Sequence, residues 1–394
     1  MDRNMKKWHS YKLSDVVRFN PSERLLKGEI AKKVPMDLLQ PYTRGISGFE
    51  MASYTGGSKF RNGDTLMARI TPCLENGKTA YVSMLDEDEV GFGSTEYIVF
   101  RNIEGITDNK FVYYFVTSPW FRDIAVKSMV GSSGRQRVQQ AMLENLVVNL
   151  PPLAEQKQIA GILGALDDKI ELNRCINDNL EEQAKALFNH YFIQNTENLG
   201  EWQDGVLTDI AQYLNGLAMQ KYPAMPNEAG LPVLKIKELG QGQCDTNSDR
   251  CSSLIKPEYI ISDGTIIFSW SGTLLVDIWC GGKCGLNQHL FKVSSAKYPQ
   301  WFVFYWTKHH LNKFIRIAKD KAVTMGHIKR CDLEISKVKI PSKQALVNLD
   351  KLFSPIFNRM VTCRIENRKL SSLRDTLLPK LMSGEISVEE VSFD

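Results

Sequence analysis

Two long stretches of the chain carry apolar residues at alternating spacings of four and three positions. This heptad spacing places the apolar residues on one face of a helix and predicts a coiled-coil contact. The seam of the first stretch is Ile159, Leu163, Leu166, Ile170, Asn173, Asn177 and Leu180. The seam of the second stretch is Leu349, Phe353, Ile356, Met360, Cys363, Asn367 and Leu370.

Amide side chains interrupt both seams. An asparagine at a seam position lowers stability but penalises the wrong registers, in which it would face apolar groups unpaired. Two matched seams supply each other's partner, so we predict an antiparallel pair, and centring one seam on the other places Asn173 opposite Asn367. A helix lying on its own globular unit is the alternative that periodicity alone leaves open.

The sequence upstream of each long stretch also occurs twice. WHSYKLSDVV at 8–17 matches WQDGVLTDIA at 202–211, and FVYYF at 111–115 matches FVFYW at 302–306. An internal repeat of this kind implies two similar bodies related by pseudo-symmetry. With proline at 151, 152 and 341 marking the helix starts, the predicted segments are 1–150, 151–195, 196–340 and 341–394.

Each repeated unit mixes short strands with amphipathic helices. DTLMARI, EYIVF, GTIIFSW and HLFKV are rich in β-branched or aromatic residues and indicate strands. FVYYFVTSPWFRDIAVKSM and WFVFYWTKHHLNKFIRIAKD have the periodicity of helices. The predicted fold class is therefore α+β: two pseudo-repeated mixed α/β domains, separated by two long helices that form an antiparallel coiled coil.

Composition excludes little. The net charge of +4 permits a nucleic acid partner without requiring one. The first residues, MDRNMKKWHSYKL, lack the apolar core of a signal peptide, and no apolar run is long enough to cross a membrane, so we expect a cytoplasmic protein without membrane contact. Eight cysteines without a framework pattern are expected to be free thiols, and Cys244, Cys251, Cys280 and Cys284 lack the usual zinc spacing, so no metal is predicted.

Motifs for catalysis are missing from the sequence. Gly77-Lys78-Thr79 resembles the end of a phosphate-binding loop, but Pro72 replaces the glycine that such a loop needs, and a polar turn is the preferred interpretation. Asn20-Pro21 is followed by Ser22 rather than by the Pro-aromatic pair with which adenine methyltransferases grip a flipped base. A binding function is favoured over a catalytic one.

Two segments of the chain resemble regions of a known protein family. LPPLAEQKQIAGILGALDDKIELN at 150–173 and LLPKLMSGEI at 377–386 resemble conserved regions of the specificity subunit of Type I restriction–modification systems. The resemblance implies two target recognition domains (1–150 and 196–340), each binding half of a bipartite double-stranded DNA target. The segment IPSKQALVNLDKLFSPIFNRM at 340–360 departs from the pattern, because it lacks the PPLAEQ opening.

The same resemblance implies partners and their cofactors. The helices would dock two methyltransferase subunits, which methylate adenine with S-adenosylmethionine, and motor-nuclease subunits would cleave unmodified DNA with ATP and magnesium. The chain itself would hold no cofactor and would not be an enzyme on its own. A coiled-coil scaffold and an enzyme with an unrecognised catalytic site remain the alternatives.

Basic and amide side chains near the end of each unit are the predicted DNA contacts. Arginine can bind guanine and glutamine can bind adenine through two hydrogen bonds, while lysine suits phosphates. A solvated basic helix face is the competing interpretation. The predicted residues are Arg69, Lys78, Arg135, Gln136, Arg137, Gln139, Gln288, Lys313, Lys321, His327, Lys329 and Arg330.

Overall fold

The computed structural model describes residues 8–132, 134–194, 202–320 and 326–391. Contacts divide the chain into a first unit, Met1–Glu171 with Leu370–Asp394, and a second unit, Leu172–Lys369. Both boundaries fall inside the two long helices, whereas the segments predicted from the sequence follow the helix starts. Each unit therefore contains one globular part together with a portion of both helices.

Among its described residues, the first unit has ten strands and four short α-helices before its long helix. Asp108 and Ser118 start two of these helices, because each side chain accepts a hydrogen bond from the backbone N–H three residues later. The strands are β1 (His9–Lys12), β2 (Val17–Phe19), β3 (Ile30–Val34), β4 (Glu50–Ser53), β5 (Lys59–Phe60), β6 (Thr65–Ala68), β7 (Thr79–Tyr81), β8 (Gly91–Gly93), β9 (Tyr97–Asn102) and β10 (Val147–Leu150). The helices are α1 (Leu13–Val16), α2 (Asn109–Thr117), α3 (Pro119–Lys127), α4 (Gln140–Glu144) and α5 (Leu153–Phe188).

The second unit follows the same plan. A π-helical turn, Asn189–Gln194, continues α5 and precedes the undescribed residues 195–201. The strands are β11 (Gln203–Val206), β12 (Gln212–Asn215), β13 (Leu231–Leu234), β14 (Arg250–Cys251), β15 (Ile260–Ile261), β16 (Thr265–Ser269), β17 (Leu275–Trp279), β18 (Cys284–Leu286), β19 (Leu290–Ser294) and β20 (Lys337–Ile340). The helices are α6 (Leu207–Ile210), α7 (Ile236–Gln241), α8 (Gln300–Asp320), α9 (Arg330–Glu334) and α10 (Lys343–Ser383).

Sheet order demonstrates the internal repeat. The first unit has sheets ordered β2-β9-β6-β7 and β4-β3-β8-β5, and the second has β12-β19-β16-β17 and β14-β13-β18-β15. In each unit the first strand also pairs antiparallel with the last, β1 with β10 and β11 with β20. These matched topologies confirm the predicted α+β class with two pseudo-repeated domains.

The long helices pair antiparallel, as the seams predict. In the first unit, Ile159 and Leu163 of α5 share a buried cluster with Leu378 and Leu381 of α10. In the second unit, the side-chain amide of Asn173 donates a 2.9 Å hydrogen bond to Asn367. This bond confirms the register obtained by centring the two seams.

Burial follows the predicted seam at most positions. The buried members are Ile159, Leu163, Leu166, Ile170, Asn173, Asn177, Leu349, Phe353, Met360 and Cys363. Those only half-buried are Leu180, Ile356, Asn367 and Leu370. Phe357, which lies next to Ile356, is buried instead and joins the aromatic core of the second unit, so a packing contact with the globular part displaces the ideal heptad position.

A glycine terminates α10 at its C-terminal end. Gly384 adopts a left-handed φ of +72° just past the helix, and its N–H bonds the carbonyl of Leu381, which is the usual way for glycine to terminate a helix. All eight cysteines are free. Across the described ranges, no helix is long and apolar enough to cross a membrane, and no group of three His, Cys, Asp or Glu side chains is placed to hold a metal ion.

Candidate nucleic-acid interface

Three segments of the first unit meet at one end of its β2-β9-β6-β7 sheet, and we call them the first loop cluster: residues 69–71, Glu96 and residues 136–138. The N–H of Arg69 donates to the carbonyl of Glu96 (2.9 Å), and the N–H of Val138 donates to the carbonyl of Arg69 (2.9 Å). The N–H of Thr71 donates to the carbonyl of Gln136 (3.0 Å). Backbone bonds therefore fix these segments relative to one another.

The second unit repeats this arrangement in a second loop cluster: residues 270–272, His289 and residues 326–328. The N–H of Trp270 donates to His289 (3.4 Å), that of Ile328 to Trp270 (3.1 Å), and that of Gly272 to Gly326 (3.1 Å). Each of these bonds has a counterpart in the first cluster. The bridge between Ile70 and Arg137 likewise corresponds to the bridge between Ser271 and His327.

An ion pair organises the side chains of the first loop cluster. The Arg137 guanidinium donates from Nε and Nη2 to the Glu96 carboxylate, at 2.7–3.1 Å, and this raises the pKa of Arg137. The arginine remains 44% exposed. Because the carboxylate engages only one edge of the guanidinium, both Nη1 hydrogens remain directed elsewhere.

The other predicted contacts of the first unit have different surroundings. Arg69 lies in the cluster, where its Nη2 donates to the carbonyl of Val138 (3.2 Å). Gln136 and the exposed Arg135 lie on the adjacent turn, and Gln139 reaches only a long 3.5 Å contact to Arg137. Lys78 is half-buried and donates to the carbonyl of Met36 (2.8 Å), so it is already occupied within the unit.

The second loop cluster is rich in aromatic and imidazole groups. The Trp270 ring centroid lies 5.9 Å from that of His289 and 6.3 Å from that of His327. His289 Nδ1 is 3.1 Å from the Ser271 hydroxyl. An open groove adjoins the cluster and is lined in part by Gln220, Lys235, Lys237, Arg250, Gln288 and His289.

The remaining predicted contacts of the second unit do not all join this cluster. Lys329 precedes α9 and is exposed, and its backbone N–H donates to the Asp332 carboxylate (2.7 Å). Arg330 is exposed and lies 3.6 Å from Glu334. Lys313 is half-buried with its ammonium 3.4 Å from Ser336. Lys321 lies outside the described residues.

Buried or half-buried arginines attach each globular part to a long helix. In the first unit, Arg44 of the globular part bonds Asp168 and Glu171 of α5. In the second unit the arginines are on the helix and the carboxylates on the globular part: Arg364 and Arg368 of α10 bond Asp277 and Asp263, respectively. Hydrogen bonds to the carboxylates raise the pKa of Arg44 against the effect of its burial. These pairs fix the position of the sheets, and hence of the loop clusters, on the helices.

Glu96, Trp270 and His289 belong to the loop clusters but are absent from the DNA contacts predicted from the sequence. The equivalence of Glu96 and His289 could be predicted from the sequence, because EYIVF and HLFKV form matched strands and begin with these two residues. The equivalence of Trp270 and Arg69 is harder to predict from the sequence. Aligning DTLMARI with GTIIFSW pairs Arg69 with Ser269, whereas the hydrogen-bonded register pairs Arg69 with Trp270.

Comparisons with known proteins agree with this architecture. Residues 5–182 match the family described as the Type I restriction modification DNA specificity domain. The chain is 27% identical over 321 residues to the Type I restriction enzyme MjaIX specificity subunit of Methanocaldococcus jannaschii, covering 74% of this chain and 73% of that protein. It is 33% identical over 207 residues to the Type I restriction enzyme EcoAI specificity subunit of Escherichia coli, covering 51% of this chain and 33% of that protein.

A solved structure supports the fold. The S subunit of a Type I restriction–modification system from M. genitalium superposes with a TM-score of 0.55 at 17% identity, covering 96% of this chain and 97% of that one. At this identity the likeness concerns the fold alone. Residues 5–182 of the chain thus match the Type I specificity-domain family, and the curated proteins to which the chain is similar are specificity subunits of Type I restriction enzymes.

Proposed function

We propose that this chain is the DNA sequence-specificity subunit of a Type I restriction–modification complex, in which each unit binds one half of a bipartite, asymmetric target. The observation that carries the proposal is the pair of loop clusters, built from equivalent backbone bonds and carrying different side chains. Equivalent backbone arrangements indicate that both clusters bind the same kind of ligand, and the different side chains fit two different half-sites.

The long helices set the spacing of the half-sites and dock two methyltransferase subunits. Support comes from α5, which is continuous over 36 residues and is therefore about 54 Å long at the helical rise. That length exceeds one DNA turn, about 34–36 Å, which is the natural separation of two half-sites. Through the complex the chain also meets motor-nuclease subunits.

The chain contributes recognition and no catalytic step. S-adenosylmethionine, ATP and magnesium are used by the partner subunits, and the chain holds no cofactor of its own. The predicted DNA contacts supported by their exposure are Arg135, Arg137, His327, Lys329 and Arg330.

The test is DNA binding by the complex reconstituted with its methyltransferase subunits. Affinity for duplex DNA should fall as salt rises, because lysine and arginine contacts release counterions from phosphates. Salt-independent or absent binding would contradict the proposal and favour a scaffold that never touches DNA. ATP hydrolysis by the isolated chain would instead favour an enzyme.

A further inference from the structure

Three backbone positions are equivalent in the two loop clusters, but their side chains differ in kind. Arg69 corresponds to Trp270, Glu96 to His289, and Arg137 to His327, because each pair makes the same backbone bonds or bridge. The first set is wholly charged and the second is an indole with two imidazoles. Since the frame is the same, the difference lies in the chemistry presented to a ligand.

The charged set is suited to a G·C base pair. Glu96 holds Arg137 through Nε and Nη2, so the guanidinium is oriented before any ligand arrives. Its remaining N–H groups can donate to the O6 and N7 atoms of guanine, which is the most frequent specific contact in the major groove. Glu96 also offers an acceptor for the amino group of cytosine.

The aromatic set offers different contacts. The indole Nε1–H of Trp270 already donates to the side-chain carbonyl of Asn215 (2.9 Å), and the ring therefore presents an apolar surface beside His289 and His327. An apolar surface favours the thymine methyl group, and an imidazole can donate or accept at a base edge. The bases preferred at this cluster should therefore differ from those at the first.

We propose that positions 69, 96 and 137 in the first unit, and 270, 289 and 327 in the second, determine the half-site specificity of the two units. The inference rests on the proposed function and assigns its specificity to six side chains. The asymmetry of the target then follows from the replacement of a charged set by an aromatic set on one repeated frame.

The test compares methylation by complexes that carry E96A/R137A or H289A/H327A in the full chain, co-expressed with the methyltransferase subunits. Both double variants remove exposed or half-buried side chains and leave every backbone bond of the clusters in place. The matched controls are K33A/E50A in the first unit and D204A/K339A in the second, since each removes an exposed ion pair outside the clusters.

E96A/R137A should relax discrimination at one or more base pairs of the first half-site by about tenfold or more and leave the second half-site unchanged. H289A/H327A should do the reverse, and both controls should methylate the original target. The half-site that stays unchanged reports that the complex has folded and assembled.

Unchanged half-sites in both cluster variants, or relaxation of both half-sites by one variant, would overturn the assignment. If a variant abolishes methylation, competition binding against duplexes substituted at each base pair of the affected half-site decides. Discrimination equal to that of the original complex overturns the inference, and lost discrimination supports it. If even the unaltered complex methylates no bipartite target, the proposed function itself fails.

Discussion

Asn173 of α5 donates one side-chain hydrogen bond to Asn367 (2.9 Å) and another to Glu366 (2.8 Å) of α10. Its side chain is fully buried. The amide therefore lies in the helix contact with two acceptors of the opposite helix, both of which are lost if the register slips. The polar interruption of the seam is explained as a register device within the second unit.

Replacing one member of this pair should destabilise the protein. Asn173→Leu has a similar volume but removes both donated bonds, and the expected cost is about 1–3 kcal/mol. The double variant N173L/N367L should recover part of that loss, because it leaves no unpaired amide at this layer. Urea unfolding measures the free energy of unfolding of the single and the double variant. A single variant at least as stable as the original chain would show that the bond does not stabilise the pair.

Breaking a buried ion pair in the first unit should destabilise the protein more than replacing Asn173. Arg374 Nη1 bonds Asp167 at 2.7 Å, and Tyr114 donates to the same carboxylate at 2.8 Å. Arg374→Met leaves that carboxylate buried without its cation, which costs about 3–5 kcal/mol. D167L/R374L should be much closer to the original stability, because neither charge then remains buried.

The control for the buried pair is Lys127→Ala, which breaks an exposed pair with Asp123. Its cost should not exceed about 1 kcal/mol. Thermal unfolding of the three variants makes the comparison. Equal losses for Arg374→Met and Lys127→Ala would contradict a special role for burial.

Acid should destabilise the second unit through His310. Burial lowers the pKa of this imidazole from 6.5 to about 4, and its Nε2 donates to the carbonyl of Lys337 (2.8 Å). The folded form thus resists a proton that the unfolded chain takes up. The contribution of His310 to the free energy of unfolding is complete above pH 6.5 and decreases as the pH drops from about 6.5 to about 4. The total loss from this group is roughly 3 kcal/mol.

His310→Gln tests this assignment, since glutamine retains an N–H donor for Lys337 and does not titrate. The pH dependence of the urea midpoint between pH 4 and 6.5 should become shallower in the variant. A slope unchanged by the substitution would assign acid sensitivity to other groups, among them His309, whose pKa burial also lowers.

Phosphate and base contacts should separate by their response to salt. Lys329→Ala should weaken binding to all sequences alike and reduce the salt slope by about one, since a lysine contacts phosphate as a point charge. Arg137→Ala should instead relax one half-site at a cost of about 1–3 kcal/mol. Arg135→Ala and Arg330→Ala complete the series. Unchanged affinity and specificity in all four variants, measured by fluorescence anisotropy on the reconstituted complex, would remove these residues from the interface.

The sequence predicts the helices and the repeat because both are periodic signals. Seam spacing locates α5 and α10, and symmetry between the two seams yields the pairing of Asn173 with Asn367. Contacts between distant residues leave no such trace. Arg44 and Asp168 are both visible as charges in the sequence, yet nothing local indicates that they bond.

Strand register limits the prediction of the site. Aligning the sequences of β6 and β16 by eye places Arg69 opposite Ser269, and a shift by one residue in a strand moves every side chain to the other face. Only the hydrogen-bonded register pairs Arg69 with Trp270. The sequences of β9 and β19, which pair with β6 and β16, align without a shift. The equivalence of Glu96 and His289 can therefore be predicted from the sequence.

Genome-wide mapping of methylated adenine, in cells with and without this chain and with the methyltransferase subunits present in both, measures whether the chain selects the methylated sites. We expect methylation at a bipartite target with two different half-sites and a fixed spacer, present only when the chain is expressed. Methylation that is identical in both cells, or confined to a single continuous site, would contradict this expectation.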